Sequence, residues 1–501
     1  MQQSHRTAAS RFMALDNKRR SMLTRVEHYS GLTLPYIMPP ENFQEGDWEL
    51  RYDHHSVGAQ AVNHLANKIM IGLFQPGFPF FKLELDEQLK AELVGQGVEA
   101  KELDHILAQG ERSAIRVMAR SGMRPSLFEA VKQLIVTGNA LPVFHKKDEF
   151  ELVNLRDFVI RRSRTGAVLE LVVRAQTTFG ELDRDAQALL QRQGYQDADR
   201  KVTHYYWITR SRDGGYAVTQ WVDEQRLPSK QFDSKYKTYA ALPWQPQAWV
   251  LPAGHSYGVG LCEEYVGELT SITEFAESLS DGAALASVWR LLVNPSSSIR
   301  PEDIADGENG DALPGDQNAI TVMNADVGQN MNIVNSVMQD SIQRLSRGFL
   351  LMSSVTRDAE RVTAAEIRTL ANELETGLGG VYTRLATSFQ GPLARYLLMQ
   401  AEIRIDGTKI EPVIVTGFDA LSRAAELERV QLFLQDVTNI TALPPEVGDW
   451  LKIGPILKAL AANRHLDASE YVNEQDQVDE IRSQRAEQEA AMMAQQGGEP
   501  Q

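Results

Sequence analysis

The sequence of 501 residues predicts an α+β fold in which helices predominate. Apolar residues recur at spacings of three and four between residues 57 and 137 and again beyond 262, which is typical of amphipathic helices. Between residues 150 and 252 the pattern changes to a period of two with turn residues between the segments, which is typical of strands. A third observation is an irregular stretch at 295–327, rich in Pro, Gly, Asp and Ser, that separates two helical stretches.

The first part of the chain reads as helices with a few strands. The stripe Val57, Ala61, Leu65, Ile69 and Leu73 defines one helical face, and Gln75-Pro76-Gly77 ends it. The predicted elements in order are helix 6–29, a proline-rich loop at 35–40, helix 57–74, strand 80–85, helices 98–121 and 126–137, and a strand at 141–144.

Residues 150–252 are predicted to form a small β-rich body. A strand covers 168–174, and a period of two runs from Val202 to Thr209, where Val202, His204, Tyr206 and Ile208 alternate with the residues between them. Asp213-Gly214-Gly215 is a hairpin signal, after which 216–222 returns as a strand. The aromatic residues of these strands favour core packing over a base-stacking platform. They are Tyr205, Tyr206, Trp207 and Trp221.

Two helices are predicted at 262–292 and 328–351, with about thirty residues between them. A loop of that length inside a compact domain is uncommon and usually functional. We therefore expect two antiparallel helices that form a stalk, with a small module at its tip. The candidate residues on the polar side of the second helix are Asn332, Asn335, Gln339 and Gln343, with Arg344 and Arg347 in its last turns, where cations are favourable.

A charged stretch, 357–362, leads into a capping box formed by Thr363 and Glu366. A long helix is predicted to follow, weakened by glycines at 377, 379 and 380 and bent or broken by Pro392. A short β segment at 401–416, with Ile403 and Ile405 in alternation, and helices at 422–466 complete the chain before a polar tail. Arg357 and Arg361 are candidates either for DNA contact or for salt bridges between subunits.

Composition and motifs exclude several classes of protein. The net charge of −16 argues against tight wrapping of nucleic acid but leaves open a conduit that does not grip it. No apolar run is long enough for a membrane span, and no signal-peptide segment is evident at the start. A P-loop, an H-E-x-x-H zinc site and paired C-x-x-C motifs are absent, and no nucleophile elbow is expected. The single cysteine, Cys262, is predicted to be a packing residue.

Two further clusters contain residue types that can bind metal ions. His54 and His55 lie too far from His64 for one helical face, so surface or interface histidines are favoured over a metal site. The acidic run 302–311 does not match a calcium-binding loop. It is predicted to be a solvated loop or a surface for docking a partner.

Four segments, in order across roughly residues 50–400, resemble portal proteins, the head-to-tail connectors of short-tailed, podovirus-type bacteriophages. They are Val57-Gly58-Ala59-Gln60 through Leu73-Phe74; Ser126-Leu127-Phe128-Glu129-Ala130-Val131-Lys132-Gln133-Leu134; Ser256-Tyr257-Gly258 through Glu263-Glu264-Tyr265 with Leu292-Val293-Asn294-Pro295; and Glu360-Arg361-Val362-Thr363-Ala364-Ala365-Glu366-Ile367-Arg368 with Leu378-Gly379-Gly380-Val381-Tyr382.

The resemblance implies a ring of identical subunits, usually a dodecamer, with an axial channel at one capsid vertex. It implies this division of the chain: a wing at 1–260, a first stem helix at 261–292, a clip at 293–327, a second stem helix at 328–352, a tunnel loop at 353–362, a long kinked helix returning to the wing at 363–420, and a crown with a flexible tail at 421–501. The clip residues expected to dock other proteins are Pro301, Glu302, Asp303, Asp306, Asp311 and Asp316.

The partners that the resemblance implies are double-stranded DNA, the terminase large subunit, a tail adaptor, and the major capsid, scaffolding and internal core proteins. It implies no cofactor, no metal and no membrane, and places the protein in the virion, with assembly in the host cytoplasm. Two rival interpretations remain at this stage. One is a DNA-processing enzyme such as a metal-dependent nuclease, and the other is a capsid or tail structural protein without a DNA channel.

Overall fold

A computed structural model describes the chain at residues 7–41, 43, 55–74, 80–85, 100–144, 150–192, 194–287, 289–296, 299–300, 318–324, 328–351, 373–374, 376–403 and 410–414, with isolated positions at 302, 304, 306, 435, 457 and 483. The chain divides into two compact units, Met1–Val415 and Thr416–Gln501. All elements named below belong to the first unit, and the predicted helices at 422–466 lie outside the described residues.

Helical residues outnumber strand residues in the described part of this unit, which confirms the predicted α+β class. The helices are α1 Ala8–Gly31, α2 Val57–Leu73, α3 Ala100–Arg120, α4 Met123–Thr137, α5 Arg184–Gln191, α6 Ser229–Phe232, α7 Leu261–Glu264, α8 Val266–Ser287, α9 Gly328–Gly348, α10 Gly380–Leu385 and α11 Gly391–Gln400. The strands are β1 Phe81–Leu85, β2 Asn139–Phe144, β3 Phe150–Val153, β4 Phe158–Arg162, β5 Val168–Thr178, β6 Lys201–Arg210, β7 Tyr216–Val222, β8 Gln225–Arg226, β9 Ser234–Tyr236, β10 Gln247–Ala248, β11 Trp289–Val293, β12 Ile320–Asn324 and β13 Ile410–Ile414.

The largest core forms around α2 and α4, whose apolar stripes face each other. Leu65 and Ile69 of α2 and Leu127 and Leu134 of α4 are fully buried in one continuous cluster. Phe389 joins the same cluster from the C-terminal side. Sequence-distant helices therefore share one apolar interior, and the predicted stripe of α2 is confirmed.

The β-rich body is a six-stranded antiparallel sheet in the order β4-β5-β6-β7-β8, with β9 paired to β7. Its aromatic residues pack against core clusters, as the sequence favoured, with Tyr205 buried and Tyr206, Trp207 and Trp221 half-buried. Tyr205 is buried against Phe12 of α1, with ring centroids 6.1 Å apart. Tyr206 packs on Trp244 at 5.1 Å. The base-stacking alternative is therefore not supported.

An ion-pair cluster holds α1 against this sheet. Glu170 of β5 accepts hydrogen bonds from Arg11 Nε at 2.8 Å, Arg161 Nε at 3.1 Å and Trp207 Nε1 at 3.0 Å. Its side chain is only 6% exposed. Burial alone would raise the pKa of Glu170, but the hydrogen bonds from Arg11 and Arg161 outweigh it and the pKa is lowered.

The predicted helix 262–292 begins where expected, at Leu261, but it is interrupted at Tyr265 and its predicted C-terminal end is wrong. The chain turns at Tyr265 between α7 and α8, and α8 ends at Ser287. Residues 289–293 form β11, which pairs antiparallel with β12 from Trp289↔Asn324 to Val293↔Ile320. Pro295 disfavours helical backbone only at Asn294, so it does not by itself exclude a helix across this apolar stretch. Residues 289–293 instead pair with residues 320–324, which lie near the end of the stretch predicted to be irregular.

The segment after 376 confirms the predicted bend. Gly379 has φ +53, α10 follows it, and a π-helical segment at Ala386–Gln390 leads into α11, where Pro392 occupies the first turn. Of the predicted β segment 401–416, the described residues 410–414 form β13, which pairs with β1, whereas 401–403 are not a strand. Ile403 instead lies just after the end of α11 and donates its N–H to Leu398 O at 2.9 Å, and Ile405 lies outside the described residues.

Two smaller predictions can also be compared with the structure. Cys262 is fully buried in the main core, as expected of a packing residue, and burial raises the pKa of its thiol. Across the residues that the structure describes, no helix is both long enough and apolar enough to cross a lipid bilayer.

Candidate functional site

Helices α8 and α9 form the stalk, and they run antiparallel. Tyr265, just before α8, packs edge-on against Phe349, just after α9, with ring centroids 5.6 Å apart. Further along, Glu268 Oε1 lies 3.7 Å from Arg344 Nε. Near the far end, a Cβ on Gly282 would lie 3.4 Å from the sulfur of Met331. Residue numbers thus rise along one helix as they fall along the other, which confirms the predicted antiparallel pair.

The base of the stalk is anchored in the main core. Leu269 and Ile272 of α8 and Leu345 of α9 are fully buried, as is Phe349. Fully burying side chains of this kind contributes about 1.5–3 kcal/mol each. The base is therefore a rigid attachment to the body.

The far half of the stalk leaves apolar side chains uncovered in the single chain. Leu285 of α8 is 55% exposed, and Ile333 and Val337 of α9 are 63% and 42% exposed. No described element of the same chain covers these three side chains. Exposed apolar residues grouped on one element mark an interaction surface.

The polar candidates of α9 lie on one exposed face of that helix. Asn332, Asn335, Gln339 and Gln343 are all exposed and follow one another at spacings of three or four. Together the two helices carry five carboxylates and only two guanidinium groups, and α8 carries no basic residue at all. The stalk surface is therefore neutral to acidic.

The two arginines of α9 have different surroundings. Arg344 donates from Nη2 to Ser341 Oγ at 3.1 Å and pairs with Glu268, so it braces the two helices. Arg347 is exposed in the last turn of α9. Both side chains are exposed, and among the described residues only Arg344 of the two has an ion pair.

The remaining predicted site residues lie mostly outside the described part of the chain. Arg357, Arg361, Pro301, Asp303, Asp311 and Asp316 are in this group. Glu302 and Asp306 are described, and both are exposed. The Asp306 N–H donates to Glu302 O at 2.9 Å, which is a single helical turn.

Lys68 was missed by the sequence analysis. It lies on α2 and is 2% exposed, and its Nζ donates to Leu350 O at 2.7 Å and to Glu373 Oε2 at 3.2 Å. One buried ammonium group therefore contacts both flanks of segment 352–372, which includes the predicted tunnel loop. Burial lowers the pKa of Lys68, and the pairing with Glu373 opposes that effect. A lysine within an otherwise apolar helical stripe was the available signal.

The described residues show neither a metal centre nor a nucleophile elbow. In that part of the chain no three His, Cys, Asp or Glu side chains are grouped to hold a metal ion. His54 is outside it, and His55 Nε2 lies 3.0 Å from Thr273 Oγ1.

A G-x-S-x-G pattern does occur at 254–258, contrary to expectation. Its Ser256 sits in an irregular turn, where its Oγ accepts the Arg162 N–H at 3.2 Å. That is not the strand-to-helix turn that a nucleophile requires.

Comparison with known proteins gives a consistent set of relatives. The family model described as "Bacteriophage head to tail connecting protein" matches residues 5–469. The portal protein of Enterobacteria phage T3 is 32% identical over 455 residues, which cover 88% of this chain and 83% of the relative. The portal protein of Escherichia phage T7 is 30% identical over 87% of this chain and 82% of its own length. The portal protein of Enterobacteria phage SP6 is 28% identical over 480 residues, which cover 95% of this chain and 92% of the relative.

Proposed function

Because the chain belongs to the family of bacteriophage head to tail connecting proteins, we propose that it is one subunit of a ring through which double-stranded DNA enters and leaves the phage head. The relatives are portal proteins, which are structural components rather than enzymes. The interpretation as a metal-dependent nuclease is thereby set aside. The family also places the chain at the junction between head and tail.

The observation that carries the ring proposal is the uncovered apolar half of the stalk. A closed ring needs a heterologous interface, in which each subunit uses two different faces. Leu285, Ile333 and Val337 give α8 and α9 apolar surface that a neighbouring stalk would cover. Since α8 has 22 residues, the stalk wall of such a ring would be about 33 Å tall.

The charge of the stalk suits a conduit. Binding of DNA depends on Lys and Arg groups that neutralise phosphates and release counterions. The exposed amides of Asn332, Asn335, Gln339 and Gln343 offer no such charge, and the carboxylates of the stalk repel phosphate. A duplex would therefore pass along this wall without being held.

The division of the chain into stem, clip, wing, tunnel loop and crown follows the family resemblance, with bounds adjusted to strands β11 and β12. The stem comprises α8 and α9, the clip lies between them and begins and ends with β11 and β12, and the wing is formed by the residues before 261. Arg357 and Arg361 would contact DNA or a neighbouring subunit from the tunnel loop at 353–362, and the crown would lie within 421–501.

The partners remain part of the proposal. The acidic clip, with Glu302 and Asp306 exposed, would dock the terminase large subunit during packaging and the tail adaptor afterwards. Major capsid, scaffolding and internal core proteins would surround the ring, usually a dodecamer in this family, as it assembles in the host cytoplasm. No cofactor, metal or membrane is required.

The ring proposal is tested by placing a charge on the apolar half of the stalk. Ile333→Asp should shift purified protein from rings to single subunits, because the neighbour would have to bury an unpaired carboxylate. Asn335→Asp is the matched control, since it adds the same charge at an exposed polar position. Mass photometry of both variants gives the subunit number. Equal ring formation by both variants would contradict the proposed interface.

A further inference from the structure

A cleft of about 1340 Å³ lies between the six-stranded sheet and the helical segment 380–400, and no residue of α8 or α9 lines it. One wall comprises the turns that follow β4 and β6 together with the chain just after β9. The other wall comprises α10, the π-helical segment and α11. The hydrogen bonds between Gln247 and Ser388 join the two walls, with Gln247 Nε2 to Ser388 O at 2.9 Å and Ser388 Oγ to Gln247 Oε1 at 2.7 Å.

The cleft is strongly basic in a chain that is acidic as a whole. Six cationic side chains line it, compared with a single carboxylate, that of Asp213. The cations are Arg162, Arg164, Arg210 and Lys237 on the sheet side and Arg384 and Arg395 on the helix side. Among the ion pairs found in the described residues, none involves any of these six.

Arg162 shows that this charge has not been neutralised from within. Its guanidinium donates to three backbone carbonyls, Gly166 O and Pro246 O at 3.0 Å and Ser256 O at 3.2 Å. It has no carboxylate partner, and burial lowers its pKa. A half-buried cation that meets only carbonyl oxygens adds to the positive potential of the cleft.

The composition of the cleft distinguishes between two kinds of polyanion. The centres of protein–protein interfaces are depleted in charged residues, whereas nucleic-acid interfaces are polar and much more positively charged. Phosphate oxygens are bound by Arg and Lys together with Ser and Thr hydroxyls. The cleft provides Thr165, Thr238 and Thr387 beside its six cations. These features favour a phosphate backbone over an acidic protein segment.

We propose that this cleft binds the phosphate backbone of double-stranded DNA at a second location, separate from the stalk. The choice of duplex DNA as the source of phosphate rests on the proposed function. The cleft recognises charge and not sequence, because no side chain lining it is required to reach a base edge. Such a site would hold DNA on the body of the subunit, whereas the stalk lets it pass.

The test is the salt dependence of binding to a fluorescent duplex, measured by anisotropy with the full-length protein. Each phosphate contact contributes about 0.9 to the slope of log affinity against log salt. The variant pair Arg384→Gln with Arg395→Gln should lower that slope by about 2 and weaken binding by up to about 60-fold at about 0.1 M salt. The pair Arg164→Gln with Arg210→Gln, on the opposite wall, should do the same independently.

The matched control is Arg112→Gln with Arg116→Gln, two exposed arginines of α3 that do not line the cleft. It removes the same charge and should leave both slope and affinity nearly unchanged. Equal behaviour of the cleft pairs and the control pair would overturn the proposal. So would displacement of the duplex by a single-stranded or polyglutamate competitor at lower concentrations than by unlabelled duplex.

The outcome can be separated from that of the ring proposal. Mass photometry reports subunit number for every variant, and the substitutions in the cleft, at three exposed positions and the half-buried Arg395, should leave rings intact. Absence of rings in the parent protein would contradict the proposed function. Unchanged DNA affinity in intact rings of the cleft variants would contradict only the second DNA site.

Discussion

Substitution of Gly348, the last residue of α9, tests how the stalk is joined to the body. A Cβ at this position would lie 2.2 Å from both Cζ and Oη of the Tyr265 ring. Such a separation is far inside contact distance, so either the helix or the ring must move. The Tyr265 ring is held edge-on against Phe349, and it can move away only by losing that contact.

The change in stability follows from two alternative costs and one gain that opposes them. Forcing an extra carbon into a packed site costs about 1–3 kcal/mol. Moving the ring instead loses an aromatic contact worth about 0.5–1.5 kcal/mol. Alanine is a better helix former than glycine by at most about 1 kcal/mol, and by less at a helix end. Gly348→Ala should therefore destabilise the base of the stalk by about 1 kcal/mol.

Hydrogen–deuterium exchange of peptides from α8 and α9 measures this local effect. A loss of about 1 kcal/mol should speed exchange about fivefold. Tyr265→Ala provides the control background, because removing the ring also removes the overlap. In that background Gly348→Ala should be neutral or slightly stabilising. Faster exchange of the same size in both backgrounds, or no change with Tyr265 present, would refute the reasoning.

Two further substitutions test buried charges. Glu170→Gln should destabilise the protein by about 2–4 kcal/mol, because it leaves two arginines facing a neutral amide. Since the pKa of Glu170 is lowered by folding, its contribution is complete above the unfolded pKa of about 4.3 and is lost as pH falls through the lower folded value. The variant should thus show a weaker decline in melting temperature with acid, and an unchanged decline would contradict the assignment. Lys68→Met should cost about 2–4 kcal/mol by leaving the Glu373 carboxylate without its ammonium partner, whereas Lys18→Met, at an exposed position, should change stability by less than about 0.5 kcal/mol. Differential scanning fluorimetry compares the two, and similar melting temperatures would count against the buried pair.

Long periodic elements could be predicted from the sequence because their burial is set by local spacing. The stripe of α2 faces the core as expected, and the antiparallel stalk follows from two apolar helices separated by a long excursion. The bend near Pro392 could also be predicted, since proline and glycine act on the backbone directly.

The β11–β12 ribbon could not be predicted in the same way. Residues 289–293 continue the apolar pattern of the preceding helix, and only the distant partner at 320–324 determines that they become a strand. Strand pairing is a non-local property, and a short apolar run is ambiguous between helix and strand.

The basic cleft and the Lys68 contacts escaped sequence reasoning for a related reason. The arginines of the cleft come from positions between 162 and 395, and its two walls are far apart in sequence. Lys68 acquires meaning only when Leu350 and Glu373 come to lie beside it. Chemistry assembled from separate elements leaves no local spacing to detect.

Electron microscopy of the purified full-length chain tests the central claim most directly. The account predicts closed rings with an axial hole wide enough for duplex DNA, with copies of α8 and α9 side by side around it. A protein that stays a single subunit at every concentration tried, with no lumen in any image, would contradict it.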